Sequence, residues 1–186
     1  MKRFVPLLAV CITVLVPVAG AQGPALAPDD AMRARLFQRN HDLIRTLVKG
    51  GLRLASAEDA LQRAECCSGV AEHLATEIQQ AFLNHEQGRV AELGLHLRAL
   101  LETGVAANLS TARKQIPVGS TLEKTLREVR DRTTHVVEPL EEQLLSGTDA
   151  LDEQGIRHTL KALQVGRTEV EKALQIPMPA RERAQP

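Results

Sequence analysis

Cys66 and Cys67 stand side by side in this chain, and His73 and Glu77 follow Cys66 at steps of seven and four residues. On a helix those steps place Cys66, His73 and Glu77 roughly along one stripe. A thiolate, an imidazole and a carboxylate together are a donor set that zinc or copper accepts. One stripe supplies too few ligands, and the nearest further ones, His85 and His96, fall in a turn and on the next helix. No metal ligand is therefore assigned. A bridge within the pair is disfavoured as well. Neighbouring Cα atoms lie about 3.8 Å apart, below the roughly 4.4 Å at which disulfides begin.

Two roles remain for the pair. Cys67 lies on the apolar stripe of its segment, where a free cysteine acts as a small buried hydrophobe. Cys66 sits at the edge of that stripe, either as a tolerated neighbour or as a thiol free to bridge two copies in an oxidising compartment. Metal or redox sensing through Cys66, Cys67 and His73 is the sharper alternative.

Other constellations can be set aside by spacing. Carboxylate-bridged di-metal bundles use Glu-x-x-His, whereas Glu92 precedes His96 by four and His135 precedes Glu138. His-Glu-x-x-His and Cys-x-x-Cys-His are absent, and Lys49-Gly50-Gly51-Leu52 lacks the spacing of a phosphate loop. Without Gly-x-Ser-x-Gly there is no nucleophile elbow. Asn108-Leu109-Ser110 matches a glycosylation acceptor by coincidence, near a helix end. No catalytic, cofactor-binding or metal-binding residue emerges, and the chain reads as a non-enzyme.

The elements that must carry these residues are helical. Aromatics make up 2% of the 186 residues, with no Trp and no Tyr. The core must then be Leu, Val, Ile and Ala, which pack closely between helices and mostly favour them. A first helix capped by Asp29 or Asp30 carries Met32, Leu36, Leu43, Ile44, Leu47 and Val48 at helical spacing, and the pattern resumes at Leu52 and Leu54. Gly50-Gly51 should weaken or bend it, since helical glycine costs about 1 kcal/mol against alanine. Ser56-Ala57-Glu58-Asp59 resembles a capping box opening the second helix.

The second helix repeats apolar residues at coiled-coil-like steps, from Leu61, Ala64 and Cys67 through Ala71, Leu74 and Ile78 to Phe82. Asn84 to Gly88 forms a turn. A third helix follows with Val90, Leu93, Leu97, Leu100, Leu101, Gly104 and Ala107, and a turn this short returns it antiparallel. Ile116 to Gly119 ends it, and Ser120 to Glu123 caps a fourth helix with Leu122, Leu126, Val129, Val136 and Leu140. Pro139 should kink that helix or start a new segment. After a break at Ser146 to Asp149, a last helix carries Leu151, Ile156, Leu160, Leu163, Val170 and Leu174. The expectation is an all-α bundle of about five helices in antiparallel hairpins. It has enough helices to bury one another's stripes, so no amphipathic face should be left for a membrane or partner.

The ends read differently. Lys2 and Arg3, an apolar run from Val5 to Val18, and Ala19-Gly20-Ala21 form a signal peptide cleaved after Ala21. The run is short of the roughly 18–20 residues a span needs. Cys11 lies inside it and is no lipidation site. Residues 22–28 are a flexible N-terminus, 29–175 the helical domain and 176–186 a disordered tail. The full chain has 23 basic and 23 acidic residues, and losing Lys2 and Arg3 leaves the mature protein at −2. That balance offers no footprint for nucleic acid and no polybasic attraction to lipid.

The run LVKGGLRLASAEDALQRAE, with VAEHLATEI and RVAELGLHLRALLETGVAANL, resembles an uncharacterised helical family of exported bacterial proteins over Leu43 to Leu109. The resemblance implies an extracytoplasmic helical module and transfers no catalytic residues. The expected role is a periplasmic, secreted or cell-envelope interaction module with an unidentified envelope protein as partner, or a homodimer. No nucleic acid and no integral membrane segment are expected after cleavage.

Overall fold

A computed structural model describes residues 28–147 and 153–175. The expected signal peptide, most of the N-terminal stretch before the first helix, Leu151 and the C-terminal tail lie outside the described residues. The chain divides into two units, Met1–Phe37 and Gln38–Pro186. The described part of the first is the opening of helix α1 (Pro28–Ala55), where Met32, Leu36 and Phe37 are exposed.

In the second unit every described element is helical, with no strand among the described residues. Helix α2 spans Ala60–Leu83. Helix α3 (Gln87–Ala99) runs without a break through a π segment, Leu100–Ala106, into α4 (Ala107–Gln115). Helices α5 (Thr121–Ser146) and α6 (Glu153–Ala173) complete the set. Counting α3 to α4 as one rod, these are the five expected helices, packed as a bundle.

The caps show how local sequence sets the ends. The Ser120 hydroxyl accepts from the Glu123 amide as the expected capping box requires, while the Glu123 carboxylate accepts from the amide one residue before the cap, that of Gly119. At α2 the expectation was three residues early. The Asp59 carboxylate accepts from the Gln62 amide, and the Gln62 side chain accepts from the Glu58 amide. Asp59 and Gln62 form the reciprocal cap, while Ser56 bonds back to the Arg53 carbonyl at the end of α1.

Helix α1 continues through Gly50-Gly51 to Ala55. Helix α5 likewise runs on past Pro139, which faces solvent while Val137, Leu140 and Leu144 hold the opposite side in the core. In the third rod Val90, Leu93, Leu97 and Leu101 are buried as expected, but from there burial passes to Val105, Ala106, Leu109 and Ala112, whereas Leu100 is half-buried and Ala107 exposed. The π segment is the cause. Bonding to i+5 inserts an extra residue, so a register extrapolated at 3.6 residues per turn falls on the wrong side beyond it. In α5 the buried set is Leu126, Val129, Thr133, Val137, Leu140, Glu141 and Leu144, so Val137 takes the place expected for Val136, which is half-buried, and Leu122 is exposed.

The core is aliphatic throughout, with Ile78, Leu97, Leu101, Leu109, Leu126, Leu144, Ile156 and Leu163 its largest fully buried side chains. Polar contacts cross it too, the shortest between Thr133 and Ser68. The Thr133 hydroxyl donates to the Val129 carbonyl at 2.8 Å, so its oxygen accepts from Ser68 at 2.8 Å and ties α5 to α2. Both groups are satisfied, which removes the penalty of burying them.

Candidate functional site

The cysteines part company in the fold. Cys67 is buried on α2, and its sulfur lies 2.9 Å from where a Cβ on Gly104 would stand. Any side chain at position 104 would displace it, so the π segment meets α2 through a glycine. Burial, with Cys66 beside it, pushes the Cys67 thiol above its ordinary range. It stays protonated at neutral pH and is a poor nucleophile. Cys66 is half-buried, and both sulfurs are free thiols.

Cys66 opens onto a groove of about 780 Å³ between α1, α2 and α5. His73 lines the same groove, as do Lys49 and Arg53 from α1 and Arg132 from α5. Of the residues expected to work together, the structure thus brings Cys66 and His73 to one groove and turns Cys67 into the core. Among the described residues, no group of three or more His, Cys, Asp or Glu side chains is arranged to hold a metal ion.

Glu77 has a different occupation. It accepts from Arg39 at 3.3 Å and from Arg89 at 3.1 Å, while Arg39 also reaches Glu86 at 2.9 Å. Arg89 donates in addition to the Asn40 side chain. These residues are only about a fifth exposed, so their charge-assisted bonds hold better than open surface pairs. The cluster latches α1 to the α2–α3 turn, where His85 takes a left-handed φ of 58°. Sequence reasoning did not find it, because a contact between residues 39 and 77 leaves no periodic trace.

The latch decides which side of α1 faces inward. From Arg39 on, Arg39, Leu43, Thr46 and Gly50 are the half-buried positions of α1, at steps of four, three and four. A Cβ on Gly50 would stand 2.5 Å from Val70 Cγ2, so the close approach of α1 to α2 requires glycine there. Leu43 packs against the core, but the other large apolar residues of this stretch look elsewhere. Ile44 is 61% exposed, Val48 58% and Leu52 69%, with Leu47 and Leu54 also counted as exposed. The expectation that all stripes bury one another fails at α1, because polar bonds dock the helix on its edge.

A second charged cluster joins α5 to α6. Arg167 lies within 3.3 to 3.5 Å of Glu138, Glu141 and Glu171. Burial raises the Glu141 carboxyl above the usual range, against the opposing pull of Arg167. Its place between packed helices makes it structural.

Comparison with protein-family models, curated proteins and solved structures finds no match. No described helix is long and apolar enough to cross a membrane.

Proposed function

We propose that this chain is an exported, non-enzymatic helical protein of the periplasm or cell envelope, serving as a protein-interaction or structural module. Export rests on the three-part leader in the sequence. Interaction rests on one observation, the exposed apolar face of α1 on an otherwise well-packed bundle. The largest apolar patch on a monomer, typically about 300–600 Å², is often a contact surface. The mechanism is presentation: the bundle holds α1 from one edge and offers the rest of the helix to another protein.

A photo-crosslinking residue placed at Val48 in living cells tests this. It should give protein adducts that the same residue at exposed Lys161 does not. Equal yields at both sites, or none at Val48, would remove the proposal's support.

A thiol- or metal-responsive sensor is the second reading, favoured by Cys66 and His73 sharing a groove. Cys67 could join them only after α2 loosens from the core. A rise in melting temperature with zinc, copper or nickel that vanishes in Cys66→Ser/Cys67→Ser would support it. An unchanged melting temperature with all three metals would dismiss it.

A further inference from the structure

The outward face of α1 has a register of its own. His41, Ile44, Val48, Gly51 and Ala55 follow steps of three, four, three and four, the 3.5-residue repeat of a coiled-coil seam. In sequence the same register, extended backward, falls on Phe37. Taking the seam as positions a and d, Arg39, Leu43, Thr46 and Gly50, which meet the bundle, fall at f, c, f and c. The docked edge and the seam are different faces of one helix.

Gly51 adds an independent observation. Gly50 is explained by Val70, but a Cβ on Gly51 would meet nothing within 4 Å. A glycine in a helix interior that serves no contact within its own chain is an unrewarded loss of helix stability. Gly69 in α2 and Gly155 in α6 are open in the same way, but Gly51 alone of the three lies on the outward register of α1, where it leaves room for a bulky side chain from outside.

We infer that the occupant of this face is the α1 helix of a second copy, lying antiparallel across a twofold axis near Thr46. The inference rests on the interaction-module reading and names the partner. In an antiparallel seam each a position meets a d position of the other helix, and here that matching complements size. Ile44 meets Val48 of the second copy, His41 meets Gly51, and the extended register sets Ala55 opposite Phe37. A parallel pairing would put Gly51 on Gly51 and Ala55 on Ala55, leaving a gap at one end. Leu47 and Leu54 at g and Leu52 at e widen the apolar strip.

The area is sufficient. Ile44, Leu47, Val48, Leu52 and Leu54 together expose roughly 500 Å² of apolar surface, enough to count as a patch. Two such strips with a polar rim reach about the lower end of the 1,200–2,000 Å² of stable interfaces. A lipid surface fits less well. A helix that sinks into lipid gains from bulk along the middle of its apolar face, and here His41, Gly51 and Ala55 occupy that line. One cost is visible: Arg45 at e lies near its own copy across the twofold axis, so association should strengthen with salt. Cys66, on the groove beneath α1, is not part of this seam.

The test uses the full-length chain, expressed with its own leader and purified, in sedimentation equilibrium over the micromolar range. A concentration-dependent dimer is expected, weakened by at least about a hundredfold in Val48→Lys, since each dimer carries the change twice. Leu145→Lys, on exposed α5 surface, should leave it intact. Unchanged circular dichroism of Val48→Lys serves as the folding control. In a background without native cysteines, the double variant His41→Cys/Gly51→Cys should crosslink on mild oxidation, and neither single variant should.

A monomer at every concentration, a dimer indifferent to Val48→Lys, or self-bridging by Gly51→Cys alone would each overturn the inference. If the chain is monomeric but Val48→Lys abolishes binding to a different protein, the second-copy inference falls and the module reading survives. Val48-dependent binding to phosphatidylglycerol vesicles by a monomer would overturn both. So would a face that binds nothing.

Discussion

Helices α1 and α5 are close in length, at 28 and 26 residues, and both are amphipathic. Helix α5 buries Leu126, Val129, Val137, Leu140 and Leu144, with Glu141 among them, and shows most of its other charges to solvent. Helix α1 does nearly the opposite, bonding through Arg39 and Asn40 and leaving Ile44, Val48 and Leu52 outside. An apolar stripe therefore states what a helix can bury, not what it does bury. The deciding factor is what the rest of the fold presents to each side. For α5 that is the Ser68–Thr133 contact and aliphatic side chains; for α1 it is the carboxylates of Glu77 and Glu86.

The comparison can be broken at its strongest point first. Leu126→Ala in α5 should cost about 2–5 kcal/mol in urea unfolding, from lost transfer energy and the cavity left behind. Val48→Ala in α1 should change monomer stability by no more than about 0.5 kcal/mol. Comparable losses at both sites would mean that the α1 face is covered within one chain.

Smaller effects separate the two glycines of α1. Gly50→Ala drives a Cβ into Val70 and should destabilise by about 1–3 kcal/mol, as overpacking does. Gly51→Ala meets nothing and should strengthen α1 by up to about 1 kcal/mol in the monomer. Hydrogen exchange of residues 45–55 reads both, and equal signs would contradict the edge-on docking. Arg39→Ala removes one arm of the latch and should raise exchange over the same residues by about 1–2 kcal/mol of local stability. Helices α2 to α6 should remain protected.

The ionic clusters sharpen the contrast through pH. The Glu141 carboxyl is raised in the folded state, chiefly by burial. Its ionisation therefore costs stability, a loss that sets in as pH rises from the unfolded carboxyl value through the folded one. Glu141→Gln should gain on the wild type across that window in pH-dependent melting. Glu123 has the reverse sign. Its bonds with Arg127 and the Gly119 amide lower it, so its contribution is present above the ordinary carboxyl range and fades as pH falls through the folded value. A Glu141→Gln variant that loses ground as pH rises would show that Arg167 outweighs burial.

The smallest perturbation concerns the thiols. Native alkylation followed by mass mapping should label Cys66 and spare Cys67 until the protein unfolds.

Much of this was readable from residue order. The Ser120–Glu123 box, the α2 stripe with Cys67 inside it, and the last helix with Ile156, Leu160, Leu163 and Val170 depend on neighbours within a few residues. Periodicity and capping are local, so sequence carries them. Extrapolation failed where a local rule met a distant constraint. The π segment moved burial to Val105 and Leu109, and Val70 takes the place that a side chain at Gly50 would occupy.

By itself, then, the sequence determined an all-helical chain, its aliphatic core and most of its helix ends. These follow from propensity and the 3.6-residue period. Only the tertiary structure decided that Cys66 opens onto a groove with Lys49, His73 and Arg132, and that Glu77 belongs to Arg39 and Arg89. It alone decided that α1 turns its apolar side outward. Each of those outcomes depends on partners dozens of residues away in the chain, and on whether a charged or an apolar surface reaches a given helix face.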